Sequence, residues 1–453
     1  MVAIKDRLRG VINSKKCFWI YFVGSSIVYL ILNYLFSVNF PWNHDDAVVC
    51  LSELNQYVNN ETTMWEYLSS FKNGHPQIIQ RALSLISLRI YGVVNIKLIL
   101  LLCCSMTIAL SSLIAYYEES IYLNYLTHFV LLGFTNSIFL WVSANAVYQF
   151  PFQFLLIYML FSRDQTSLIR AILLAGFASF LMLFSFSSGL AILPVLILVV
   201  LLRSLEHNDR VHYFSLSIIV VVGVFFCLFY LNQTAHFSSL TERVDPIPSK
   251  GFGIGKMIVF VCAFSGSIFK YTSFDIDGQV TNSAIGGALI FLIIIYYLIN
   301  SESDRREWCL AALSIYIAGV LICLGRFDEI GLKLAVDNRY EFHGVFLLIC
   351  LIKVVKEEFG HHRRLVFLVM FVFVGINTLK IGWNTMNLPR YKQLHENRAI
   401  EFMRELEFSV PIEGKKRNAK AKKIKPIVQE SLDLETFQLD ASLKKKIGKY
   451  NLK

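Results

Sequence analysis

The sequence predicts an all-α polytopic integral membrane protein, with about eleven transmembrane helices and one re-entrant or interfacial segment. Three observations carry that prediction. Hydrophobic residues make up 55% of the 453 positions and charged residues only 17%. The apolar residues fall in a dozen long runs, and the ionisable residues between them gather in short clusters. A soluble domain of this length could not hide so much apolar surface in one core, whereas a bilayer demands it.

The runs lie near 17–40, 92–115, 121–142, 147–162, 169–186, 189–203, 213–231, 256–271, 284–300, 308–325, 341–355 and 364–384. The first is too long for the apolar stretch of a secretory leader and lacks a small-residue cleavage site, so it is expected to remain as an anchor. Basic residues in short loops set orientation. Lys5, Arg7, Arg9, Lys15 and Lys16 put the N-terminus in the cytoplasm; the pairs Arg163 with Arg170 and Arg203 with Arg210 then fall inside as well. If every later run crossed, Arg305, Arg306 and the cluster Lys353, Lys356, Arg363 and Arg364 would lie outside. Letting 256–271 fail to cross repairs both. That run is short and interrupted by Ser265, Gly266 and Ser267, and backbone that does not span must line protein or water.

The chain divides into a transmembrane domain, residues 1–384, with a large outer loop at 41–91, and a basic tail, 385–453. The tail holds 16 Lys/Arg against 9 Asp/Glu, and so carries +7 of the net charge of +10. The remainder offers no basic face, which excludes a nucleic-acid partner and leaves membrane lipid as the expected partner of the basic residues. Most of the nine cysteines sit inside apolar runs, and neither Cys-x-x-Cys nor His-rich spacing points to a metal. No cofactor is implied, although a divalent metal stays open.

Three polar regions share the predicted outer face: 41–91, 232–283 and 326–340. In the first, Ile78, Ile79, Ala82, Leu83 and Ile86 have helical spacing, with Pro76 placed for a first turn, and such a helix would lie along the interface. Just beyond the first span stand His44, Asp45 and Asp46. Adjacent carboxylates repel, and one beside apolar surface is suited to accept a proton from a substrate hydroxyl. A solvated turn capping the next helix reads the same residues equally well. His75 and Arg81 follow; a guanidinium can hold phosphate through two parallel hydrogen bonds or reach for lipid headgroups. Gly325-Arg326 and Asp337-Asn338-Arg339-Tyr340 border the third region, where arginines at the end of a span suit an anionic ligand or a fixed partner such as Asp337. Asn145 and Gln149 could hydrogen-bond sugar hydroxyls, or another helix.

Taken in order, Asp45, Asp46, His75, Arg81, Ser188, Gly189, Gly325, Arg326, Arg339 and Tyr340 resemble the pattern of bacterial polytopic proteins of polysaccharide and O-antigen loci. These are similar to the GT-C class of glycosyltransferases, which use polyprenyl-phosphate-linked sugars. The resemblance implies a GT-C-like fold in the bacterial inner membrane with its active-site loops in the periplasm. It implies transfer of a sugar from a polyprenyl-phosphate donor to a lipid-linked glycan such as O-antigen. Asp45 and Asp46 would be catalytic, and Arg81, Arg326, Arg339 and Tyr340 would bind donor phosphate. His44, His75, Asn145 and Gln149 would touch substrate more weakly. Two departures stand out: Ala47 where the family often has an aromatic, and Pro76 where it often has Arg. A polysaccharide polymerase or flippase of the same pathway remains open. A solute transporter would call for mid-span charges and a paired repeat, which the sequence lacks.

Overall fold

The computed structural model describes residues 15–37, 45–72, 75–76, 78–118, 120–132, 142–162, 167–185, 189–207, 210–240, 253–272, 275–336 and 340–355, with short pieces between 375 and 435. The architecture is helical apart from one two-residue ladder. In chain order the elements are α1 (Lys15–Phe36), α2 (Asp45–Val58), α3 (Met64–Ser69), β1 (Phe71–Lys72), β2 (His75–Pro76), α4 (Ile78–Tyr91), α5 (Ile96–Tyr117), α6 (Ile121–Leu132) and α7 (Val142–Phe161). They continue as α8 (Leu168–Ser185), α9 (Gly189–His207), α10 (Arg210–Leu240), α11 (Ile254–Ser265), α12 (Ile276–Asn300), α13 (Ser303–Ile330) and α14 (Glu341–Val354). Among the described residues six stretches are long and apolar enough to cross a membrane: α1, α5, α12 and the larger parts of α9, α10 and α13. Five shorter helices, including α11 and α14, are apolar over 10–17 residues. The chain is a multi-pass membrane protein, and its span faces carry exposed Ile20, Leu173, Val221, Leu228 and Leu292 as lipid requires.

The segment singled out by its Ser-Gly-Ser interruption does break. Helix α11 stops at Ser265, Gly266 caps it, and the chain continues as a 3-10 turn over Ser267–Thr272. Twelve residues rise about 18 Å, well short of a hydrocarbon core of about 30 Å. Packing explains why glycine stands at the break. A methyl group on Gly266 would collide with the Ser283 carbonyl of α12, and one on Gly287 with the Cys262 carbonyl of α11. The two backbones therefore touch directly, the close approach that small residues allow in membranes.

Buried ion pairs tie one end of the bundle together. Arg203, near the end of α9, is paired with Glu307 in the first turns of α13 and also reaches the Ser162 hydroxyl and the Met159 carbonyl at the end of α7. Lys353, at the end of α14, donates to Glu118 just past α5 (2.5 Å) and lies 5.9 Å from the ring centre of Trp308. Each group is nearly buried, so each charge requires its partner. The helix ends brought together here are those that the distribution of basic residues assigns to one side.

At the opposite end, α2, α3 and α4 form a small unit over the spanning helices. Leu51, Leu54, Tyr67 and Val94 pack with Ile99 and Cys103 of α5 and Phe150 of α7. The loop helix expected from Ile78 to Ile86 is α4, but it starts at Ile78 rather than at Pro76. Pro76 instead pairs with Phe71 in the β1–β2 ladder. At its other end, Gly92 takes the left-handed conformation (φ +71°), and Asn95 caps α5 by accepting from the Leu98 N–H (3.2 Å).

Candidate active site

The α2 backbone becomes helical at Asp45, so Asp45 and Asp46 occupy its first turn. Unpaired N–H groups and the helix dipole favour carboxylates at such a position. One face of α2 is fixed from below. Arg81 of α4 is wholly buried: its Nε donates to Glu53 Oε2 (2.9 Å), its Nη2 lies 2.7 Å from the same oxygen as an ion pair, and its Nη1 donates to the Ser70 carbonyl. The pair ties α4 to α2. Tyr67 stacks on Tyr57 at 5.9 Å between ring centres, and its hydroxyl donates to the Arg81 carbonyl (3.4 Å). Helix α3 is set by a capping box. The Glu66 N–H donates to Thr63 Oγ1, and the Thr63 N–H donates to the Glu66 carboxylate and holds it below the usual carboxylate range.

The second candidate cluster lies where α13 ends and α14 begins. Arg326 falls in the last turns of α13, preceded by Gly325, and a 3-10 turn over Gly331–Val336 follows. Tyr340 is buried, its ring 5.3 Å from that of Phe264 of α11, and its carbonyl is 3.0 Å from His343 Nδ1. This is a structural setting for Tyr340, since its aromatic ring fills the junction between α11 and α14. Lys270, in the 3-10 turn after α11, donates to the Val336 carbonyl (3.3 Å) and so ties the interrupted segment to the turn that precedes Arg339.

Helix α7 joins the two clusters. It packs against α4 and α5 on one side and α14 on another. Phe150 belongs to the cluster of Leu51 and Leu54, whereas Phe152, two residues on, meets the His343 ring at 5.0 Å. Gln149 is buried on the same turn, and Asn145 lies in the first turn of the helix. His75 stands in β2 and Gly189 opens α9. His44, Ser188 and Arg339 lie outside the described residues.

Three features were not read from the sequence. His128 of α6 is buried among helices, and both its ring nitrogens meet serines: Nε2 with Ser25 Oγ and Nδ1 with Ser111 Oγ, each at 2.8 Å. The Ser25 hydroxyl already donates to the Tyr21 carbonyl (2.6 Å), so its oxygen accepts from Nε2–H and Nδ1 accepts from Ser111. The second feature is His343. Both histidines sit in continuous apolar runs, and only a rule that an ionisable residue inside a span is a candidate site would have marked them. The third is the tail. Asn55 of α2 donates to Ser431 Oγ (2.9 Å) and Glu430 Oε2 (3.3 Å), Ile400 joins the cluster of Leu51 and Leu54, and Lys392 donates to the Leu35 carbonyl at the end of α1 (2.7 Å). The described tail residues thus dock on the same end as α2. In the double variant Asn55→Cys/Ser431→Cys, oxidation should yield a peptide linking the two positions in mass spectra of the full-length protein. Its absence would show that the tail does not hold α2.

Among the described residues no group of three or more His, Cys, Asp or Glu is arranged to hold a metal, and the described cysteines are free thiols. Comparison with protein-family models, with curated proteins and with solved structures gave no match.

Proposed function

We propose that the chain is an integral-membrane glycosyltransferase that moves a sugar from a polyprenyl-phosphate donor to a lipid-linked glycan. In this reading about eleven helices cross the inner membrane in a GT-C-like arrangement, and chemistry takes place at the periplasmic end. One observation supports it above the others. Helix α7 places the unit carrying Asp45 and Asp46 and the junction carrying Tyr340 on two faces of one helical turn, at one end of the bundle. The sequence pattern of an Asp pair followed by distant arginines supplies the chemistry that such a juxtaposition would serve.

Asp45 or Asp46 takes the proton from the acceptor hydroxyl as that oxygen bonds to the anomeric carbon of the donor sugar. The bond from that carbon to the phosphate oxygen breaks, and the leaving polyprenyl phosphate carries away the electron pair. Arg326 and Arg339 stabilise the charge that develops on it. Arg81 holds α2 in place, and Gln149 and Asn145 would hydrogen-bond sugar hydroxyls.

The test is reconstitution of the full chain in liposomes with a radiolabelled polyprenyl-phosphate sugar and a lipid-linked glycan. Label should enter the glycan while free polyprenyl phosphate is released in equal amount. Label that crosses the bilayer without entering glycan would replace this reading with a flippase. Glycan that lengthens without consuming the donor would replace it with a polymerase.

A further inference from the structure

Helix α4 is folded inside out for a protein in water. Its buried side consists of Gln80, Arg81, Ser84 and Ser87, while Ile86, Ile90 and Tyr91 are 46%, 65% and 55% exposed. At helical spacing Ile86 and Ile90 share one side, whereas Ile79, Leu83, Leu85 and Leu88 lean on the cluster of Leu51 and Leu54. The inward polar stripe is used by the fold. Arg81 is held by Glu53 and the Ser70 carbonyl, Ser84 donates to the Gln80 carbonyl (3.0 Å), and Ser87 donates to the Val93 carbonyl (3.1 Å) while accepting from the Asn95 N–H (2.8 Å). Helix α3, packed beside α4, adds Met64 and Trp65, which are also largely exposed. A patch of this kind in water would be a liability, because large contiguous apolar surfaces mark a docking site.

Position decides what covers it. Helix α4 spans about 21 Å. Its first residue, Ile78, packs against Leu183 and Phe184 of α8 and Phe226 of α10, and its far end turns into α5 within four residues. The same unit reaches Cys103, the eighth residue of α5, and Phe150, the ninth of α7. The helix is therefore laid across the spanning helices near their ends. Trp65 and Tyr91 are of the residue types that settle at the boundary between headgroups and acyl chains, and Arg89 stands exposed at the rim of the patch.

We infer that Met64, Trp65, Ile86 and Ile90 form a lipid-docking face that inserts the α2–α4 unit among the acyl chains of the adjoining leaflet. The inference depends on the membrane setting but not on the transferase activity, so the two stand or fall separately. The partner is bulk membrane lipid, and the face makes α2 a half-immersed element rather than part of a soluble loop.

The experiment places the photo-reactive amino acid p-benzoylphenylalanine at Trp65, Ile86 or Ile90 in the full chain, and at exposed Glu61 of the same unit as control. Native membranes are irradiated and adducts are identified by mass spectrometry. Phospholipid adducts should dominate at 65, 86 and 90 and be several-fold rarer at 61. Adducts to a second copy of the chain or to another protein would overturn the proposal, as would lipid labelling no greater than at 61.

Discussion

If the proposed transfer is this chain's activity, replacing Asp45 or Asp46, whichever serves as base, by Asn should lower its rate by about 10²–10⁴, the usual contribution of a general base. Asn keeps the shape and the capping oxygen of Asp, so α2 should still start where it does and the protein should reach normal levels in the membrane. What Asn cannot do is accept a proton. Measuring label transfer per milligram of reconstituted protein separates chemistry from expression, and the two single variants show which carboxylate acts. Helix position makes the outcome informative. A carboxylate that served only the dipole of α2 would, when replaced by Asn, cost a few tenths of a kcal/mol to about 1 kcal/mol of helix stability and leave transfer per folded protein nearly unchanged. If both single variants and the double variant transfer normally, the base lies elsewhere and the assignment of this end of α2 is wrong.

The second large effect is one of stability, at the far end of the bundle. Removing one partner of the Arg203–Glu307 pair, as in Arg203→Met, should destabilise the protein by about 3–5 kcal/mol, because a buried carboxylate is left without its cation. Ser162 and Met159 also lose the donors they face. Removing both charges with Arg203→Met/Glu307→Leu should recover most of the loss, since hydrophobic residues of similar volume often replace a buried pair at little cost. Thermal unfolding of the detergent-solubilised variants reads the difference. A double variant no more stable than the singles would mean that the hydrogen bonds to α7, and not charge neutralisation, hold this end together.

The long helices were legible because a bilayer forces each apolar run to be helical, whatever its neighbours. The break after Ser265 was legible too, since Ser-Gly-Ser interrupts a run already too short to span. The start of α4 was misplaced because Pro76 suits both a first helical turn and an edge strand, and only its pairing with Phe71 decides between them. The ion pairs could not be read, since they join residues 104 and 235 positions apart and leave no local periodicity. At the candidate site, Asp45, Asp46, Arg326 and Tyr340 are visible as residue types at the ends of spans. That Arg81 is paired with Glu53 is not visible, because a guanidinium looks the same whether it faces a carboxylate of its own chain or a phosphate. The docked tail escaped notice for a related reason. It depends on a few polar contacts around Asn55, while its basic composition resembles that of a solvated appendage.

The backbone contact between Gly266 and Gly287 governs how this molecule could move. Two helices separated by side chains can slide, because rotamers yield; two helices in carbonyl-to-α-carbon contact have nothing between them that can yield. Helices α11 and α12 must therefore travel as one plank, and the 3-10 turn after α11 travels with them, its Phe269 ring lying over Gly286. Any widening of the bundle has to open along another seam. Bulk introduced at Gly287 would thus act as a wedge in a joint that ordinarily stays shut.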